Sequence, residues 1–384
     1  MNEKLMKCGY DICRIIGNSI NNKNICNYSE LPSEDMLLYF AESHNLVSLV
    51  GSSLKLADLN NPEFSKLFQK SNSAVFKQMK ADILSERISK LFSTAKIRHI
   101  ILKGTQLQQF YPENMIRTSN DIDIYISPSQ SELACEILKT ENFEFISLNN
   151  EDIEFKKEPR YYFEIHTSMG GFTDKHKKIL QKLADNAENV ENFRFALNQS
   201  DCYIYTLYHL YKHFVISGAG VRMFLDMYML EKADKLDNNY IDNILKKLGI
   251  YQFDKTVRKV NRVLFENEKP TEELSEVIEF IFKSGTFGQS STQKAMKHIN
   301  NNAIKKNKIN KLMNEFGFDF NSMKNRYPVL SKFPLLFPFC CIYRCISGII
   351  FRHNIAQKAV KEYYNVSDSE ILQLERILKI SGIK

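Results

Sequence analysis

From Asp35 to Leu46, and again from Val75 to Phe92, apolar residues return at a spacing near 3.6. That is the signature of helices that bury one face, so residues 1–95 read as a helical region. The pattern changes at residue 96. His99-Ile-Ile-Leu-Lys-Gly-Thr105 is a short apolar run of strand type, and Ile122, Ile124 and Ile126 alternate with other residues. Arg160-Tyr-Tyr-Phe-Glu-Ile-His-Thr167 is rich in the aromatic and β-branched residues that strands favour. From about residue 200 to the end the helical spacing returns, with breaks at Ser217–Gly220, Ser284–Gly288 and Tyr327–Pro338. No period of 20–50 residues indicates repeats. The expected organisation is an N-terminal helical region (1–95), a strand-bearing core (96–200) and a C-terminal helical region (201–384).

The chemistry concentrates in the core. Asp121 and Asp123 occupy alternate positions of a strand that is otherwise apolar, so they project from one face. Two like charges placed side by side on a buried strand call for a cation between them. An oxygen-only pair suits Mg²⁺ or Mn²⁺. Glu164 and His166 share one face of a second strand, and a third carboxylate makes a two-metal site a candidate. Upstream, Lys103-Gly104-Thr105 ends the first strand, and a short helix stopped by Pro112 leads into a loop with Arg117. A glycine at such a turn lets backbone N–H groups approach phosphate, and Lys103 and Arg117 would neutralise phosphate oxygens.

In order along the chain, Leu102-Lys-Gly, Tyr111-Pro, Arg117 and Asp121-Ile-Asp-Ile-Tyr-Ile resemble the signature of an uncharacterised bacterial nucleotidyltransferase family. That family belongs to the DNA polymerase-β-like superfamily. Phe163-Glu-Ile-His166 is similar to its Glu-x-His strand. Tyr208-His-Leu-Tyr-Lys-His-Phe214, Gly218-Ala-Gly-Val-Arg222 and Leu225-Asp226 resemble its helical segment. Ser284-Gly-Thr-Phe-Gly288 and the stretch from Arg326 to Arg344 resemble two later motifs. The resemblance implies an α+β fold: a small polymerase-β-like mixed sheet, with helices on one face, embedded in a mostly helical chain. It implies transfer of a nucleoside monophosphate from an NTP to an acceptor hydroxyl. Asp121, Asp123 and Glu164 would be catalytic and would hold Mg²⁺ or Mn²⁺. Lys103, Gly104, Thr105 and Arg117 would bind the nucleotide. Many superfamily members carry Gly-Ser or Gly-Gly after the first strand. Lys103-Gly104-Thr105 departs from that and resembles the Lys-Gly-Gly-Thr of nucleotidyltransferase-like toxins with one glycine fewer.

Further residues have two readings each. His209 and His213 stand i, i+4, but no glutamate follows His209 and its neighbours are aromatic. His209 is therefore assigned to packing and His213 to packing or the cleft. Arg222 and Asp226, also i, i+4, suit an intrahelical salt bridge or an ordered cleft wall. His166 suits a supporting role beside Glu164.

Composition bounds the rest. At 384 residues and 43% hydrophobic content the chain can bury a sizeable core. Eight scattered cysteines without a Cys-x-x-Cys pair read as reduced thiols of a cytoplasmic protein, and no signal-peptide pattern opens the sequence. Abundant lysine, asparagine and isoleucine point to an AT-rich bacterial genome. The net charge of +7 is uneven: Lys294–Lys332 carries nine Lys/Arg against Glu315 and Asp319. A solvated helix face is favoured there over an RNA footprint. Phe333–Phe351 approaches membrane-spanning length but contains Pro334, Pro338 and Arg344, so no membrane span is expected. Two alternatives stand beside the main reading: a toxin-like tRNA nucleotidyltransferase, and a non-catalytic nucleotide- or partner-binding protein of the same fold.

Overall fold

The computed structural model describes residues 3–23, 31–56, 62–112, 117–119, 121–149, 152–158, 161–286, 320–351 and 367–383, with scattered positions between 288 and 299. Four helices open the chain: α1 (Glu3–Ile20), α2 (Glu34–Ser43), α3 (Val47–Leu56) and α4 (Ser65–Thr94). The core follows as β1 (His99–Leu102), α5 (Gly104–Gln108), β2 (Asp121–Ile126), α6 (Ser131–Thr140), β3 (Glu144–Asn149), β4 (Asp152–Lys157) and β5 (Tyr161–His166). Next come α7 (Asp174–Asp185), β6 (Glu188–Glu191) and β7 (Arg194–Ala196). Then run α8 (Gln199–Ile216), α9 (Val221–Glu231), α10 (Asn238–Leu248), α11 (Tyr251–Glu266) and α12 (Glu272–Ser284). Further helices span Phe320–Arg326, Val329–Lys332, Phe337–Phe351 and Asp368–Ile380. The expected α+β class holds: a mostly helical chain around one mixed sheet.

The sheet has seven strands in the order β3-β4-β5-β2-β1-β7-β6. β2 runs parallel to β5 and antiparallel to β1, so it sits at the centre. Strand alternation divides its residues between two cores. Ile122, Ile124, Ile126, Phe163 and Ile165 pack with Ile88 and Phe92 of α4 and Ala134 and Leu138 of α6. Ile100, Leu102 and Tyr125 point the other way and join the larger core of α1–α3 and α8–α12. Helices therefore cover both faces, not one. The second face is covered because Ile100, Leu102 and Tyr125 are apolar and need partners there too. That larger core also unites the N-terminal and C-terminal helices, with Leu37, Phe40 and Ile16 packing in one cluster with Phe214, Phe253 and Phe282.

His44, immediately after α2, ties these two regions together. It is fully buried; Nε2 donates to the Phe282 carbonyl at 3.2 Å and Nδ1 accepts from the Val221 N–H at 3.2 Å. Protonating Nδ1 would break the bond to Val221, so the neutral Nε2–H ring is the one that fits. Burial pushes its pKa down from 6.5 to about 4. A depressed folded-state value means the unfolded chain takes up the proton first. Stability is thus complete above pH 6.5 and falls as pH drops through about 4. The loss amounts to roughly 3 kcal/mol. His44→Gln, which keeps one donor and one acceptor, should flatten this part of the pH profile, as read by denaturant unfolding at pH 7 and pH 4.

No helix among the described residues is long and apolar enough to cross a membrane. Cys8, Cys13 and Cys202 are free and buried, and burial pushes their thiols up. Most of the basic stretch Lys294–Lys332, including Lys305, Lys306, Lys308 and Lys311, lies outside the described residues; Lys324, Arg326 and Lys332 are exposed.

Candidate active site

The face of the sheet opposite α4 carries the carboxylates. The parallel register of β2 on β5 puts Asp123 beside Glu164, and Asp121 lies two residues back on the same face. Asp121, Asp123, Glu164 and His166 all line one cavity of about 850 Å³, walled on the other side by α8 and the start of α9. Glu164 is thus on the same face as the aspartate pair, although it follows them by some forty residues.

Asp123 is the hub. It is 2% exposed, and one oxygen, Oδ1, accepts from Lys103 Nζ at 2.7 Å and from His166 Nε2 at 2.6 Å. Its second oxygen, Oδ2, is buried with no hydrogen-bond partner among the described residues. Burial opposes the charge, but Lys103 and His166 outweigh it and hold the carboxyl well below the usual range. Glu164 lies in the opposite condition. Burial and the nearby Asp123 and Asp121 charges push it up to about 7. Two neighbouring carboxylates with values driven apart are a mark of acid–base or metal chemistry.

Donor atoms of Asp123, Glu164 and His166 lie within 4.8 Å of one another, a grouping that could hold a metal ion. The orphaned Asp123 Oδ2 and the proton-holding Glu164 fit a divalent cation, which would satisfy the first and displace the proton from the second. Asp121, assigned by its spacing to the same ion set, stands just outside this group; its Oδ1 accepts from Ser119 Oγ at 3.0 Å. His166 stands inside it. His166 Nδ1 is 2.7 Å from an oxygen of Asp152 on the neighbouring strand β4. Burial works against its charge, but the bonds to Asp123 and Asp152 raise it to about 9. Asp152 is thus a residue that orients a candidate metal ligand. Asp152→Asn should weaken metal affinity by about 10–100-fold while leaving the fold intact, measured by Mn²⁺ titration.

Lys103 reaches Asp123 because its backbone turns sharply at the end of β1, with φ 49° and ψ −118°. A positive φ at a residue with a side chain is strained and is sustained by surrounding structure, here the ion pair to Asp123. Gly104, beside it, is buried; a Cβ there would lie 3.4 Å from the Ser119 side chain. The side chain of Thr105 lies outside the described residues.

Arg117 is 4% exposed and pairs with Asp226 of α9, Nε to Oδ1 at 2.6 Å and Nη2 to Oδ2 at 2.8 Å. Tyr111 also donates to Oδ1 at 2.7 Å. Asp226 therefore takes its salt bridge from a residue 109 positions away and not from Arg222, whose Nη1 donates to the Thr118 carbonyl at 2.9 Å. Arg222 and Asp226 both line the cavity, as does His213. His209, expected to serve packing alone, lines it too, its ring 4.5 Å from that of His213. Burial and Lys103 push His213 down to about 4 and His209 well below its usual range, so both rings are neutral at pH 7.

Sequence reasoning missed Asp152, Lys212 and the Ser168–Phe172 loop, all of which line the cavity. Asp152 is paired with His166 by strand register, which no spacing announces. Gly170-Gly171, both at positive φ, is the signal from which the loop could have been found.

No curated protein matches the chain. A family model described as "uncharacterised nucleotidyltransferase" matches residues 32–264, a span that holds the whole sheet, the carboxylate cluster and the cavity wall through α9. With more than half of its 384 residues matched, the chain belongs to this family of uncharacterised nucleotidyltransferases.

Proposed function

We propose that the protein is a metal-dependent nucleotidyltransferase of the DNA polymerase-β-like superfamily, with its catalytic core in residues 96–200. It would move a nucleoside monophosphate from an NTP to an acceptor hydroxyl. The observation that carries this reading is Asp123: a buried carboxylate facing Glu164 across two parallel strands, with one oxygen left without a partner among the described residues. Asp121, Asp123 and Glu164, with His166 beside them, are the proposed ligands for Mg²⁺ or Mn²⁺. When bound, a divalent ion supplies charge neutralisation at the triphosphate and lowers the pKa of the acceptor hydroxyl.

The residues then divide the work. Glu164, as a carboxylate, would accept the proton of the attacking hydroxyl. The acceptor oxygen forms a bond to the α-phosphorus, the bond from that phosphorus to the bridging oxygen breaks, and pyrophosphate leaves with the electron pair. Lys103, the turn at Gly104 and Thr105, and Arg117 offset the charge of the phosphates. His166, held by Asp152, fixes the orientation of Asp123. The test is incubation of the full chain with each α-labelled NTP, Mg²⁺ or Mn²⁺ and a cell extract. Label transferred to an extract component, with release of pyrophosphate, supports the reading. Absence of transfer from all four NTPs with either ion counts against it.

A further inference from the structure

The Arg117–Asp226 pair leaves something over. Asp226 has both oxygens engaged: each accepts from Arg117, and Oδ1 also accepts from Tyr111. Yet Arg117 Nη1 is buried without a partner among the described residues, and so is Nε of the neighbouring Arg222. Both residues line the cavity. Asp226 is thus committed to Arg117, Arg222 is bonded to the Thr118 carbonyl, and each of these two cavity-lining guanidinium groups keeps one N–H donor without a partner among the described residues. A buried cationic donor without a partner is costly, so an orphaned pair calls for an anion. Asp121 also acts on both arginines, but no hydrogen bond joins it to either among the described residues.

The backbone supports this placement. Arg222 stands in the first turn of α9, which follows Gly218-Ala219-Gly220. At Gly218, φ is +89° and a Cβ would fall 2.2 Å from Ser284 Oγ; at Gly220 it would fall 2.7 Å from the backbone of Gly285. Only glycine lets α9 start this close to the end of α12. The Val221 N–H is held by His44, which fixes the turn that carries Arg222. The N-terminal end of the helix adds a favourable partial charge for an anion.

We infer that Arg117 Nη1 and Arg222 Nε form one phosphate-binding pocket, which takes the pyrophosphate portion of the triphosphate. This rests on the nucleotidyl-transfer reading for the identity of the ligand, but the pocket itself rests on the two unmet donors. Arg222 is then a substrate-binding residue. Arg117 is held in place for the same task by Asp226 and Tyr111.

The test is calorimetric titration of the full chain with inorganic pyrophosphate and, in parallel, with NTP and Mg²⁺. Wild type should bind pyrophosphate. Arg222→Gln should weaken that binding by about 10–100-fold, the effect of losing a charge-assisted hydrogen bond. Arg222→Lys keeps the charge without the Nε donor and should fall between the two; it also serves if the glutamine variant does not fold. Pyrophosphate binding that depends on Arg222, with no NTP binding by wild type, supports the pocket and overturns its assignment to a nucleotide. NTP and pyrophosphate binding unchanged in both variants overturns the pocket and leaves nucleotidyl transfer standing. No binding of pyrophosphate by wild type overturns the pocket as well.

Discussion

Asp123→Asn is expected to lose nucleotidyl transfer by about 10³-fold or more, since ion-mediated stabilisation of the reacting phosphate is worth several kcal/mol. Asp123 joins the two cationic side chains of the site to the carboxylate cluster. Lys103 and His166 both donate to one oxygen, and the other has no partner among the described residues. Asparagine keeps the shape and removes the charge, so the proposed ion and the lysine would lose their shared anchor together. The loss must be separated from misfolding, because two cations then face a neutral amide in a buried site. Label transfer from an α-labelled NTP, measured beside circular dichroism of the same sample, separates them. A folded variant with wild-type turnover would remove Asp123 from the chemistry.

Arg117→Ala should cost about 3–5 kcal/mol of folding stability, because it strands Asp226 as an unpaired buried charge. Both partners are 4% exposed at the side chain, so solvent cannot screen what is left. Asp226→Ala strands Arg117 instead and should be similarly severe. Replacing both, as Arg117→Met with Asp226→Leu, removes the two charges together and should recover much of the loss. Urea unfolding of the two single variants and the double variant gives the coupling directly. If the single variants are as stable as wild type, the pair is not the bolt between the core loop and α9.

The parts of the fold that were legible in the sequence are those where one strand carries two kinds of residue. In β2, isoleucines at 122, 124 and 126 mark the buried face and the aspartates between them mark the site. β1 was legible as a short apolar run and β5 through its aromatic and β-branched residues. β6 was not: Glu188–Glu191 is exposed at every position, so no alternation betrays it. β7 has only three residues, and β3 is an edge strand that leaves Phe145 and Leu148 exposed. Long-range pairing was the larger blind spot. The i, i+4 rule couples Arg222 to Asp226 because it sees one helix at a time, whereas the carboxylate is taken by Arg117 from a different element. His166 was read as a support for Glu164, and its distance to Asp123 is set by strand register. His209 looked like packing because its sequence neighbours are aromatic. Its ring reaches the cavity because it projects from the part of α8 that forms the cavity wall.

If the carboxylates of β2 and β5 bind a metal–nucleotide complex, nucleotide affinity must depend on both the ion and the aspartates. The deciding measurement is calorimetric titration with NTPs in the presence and absence of Mg²⁺ or Mn²⁺, on wild type and on Asp121→Asn with Asp123→Asn. Binding that needs the ion and disappears in the double variant is the predicted result; equal affinity in the two proteins would contradict it.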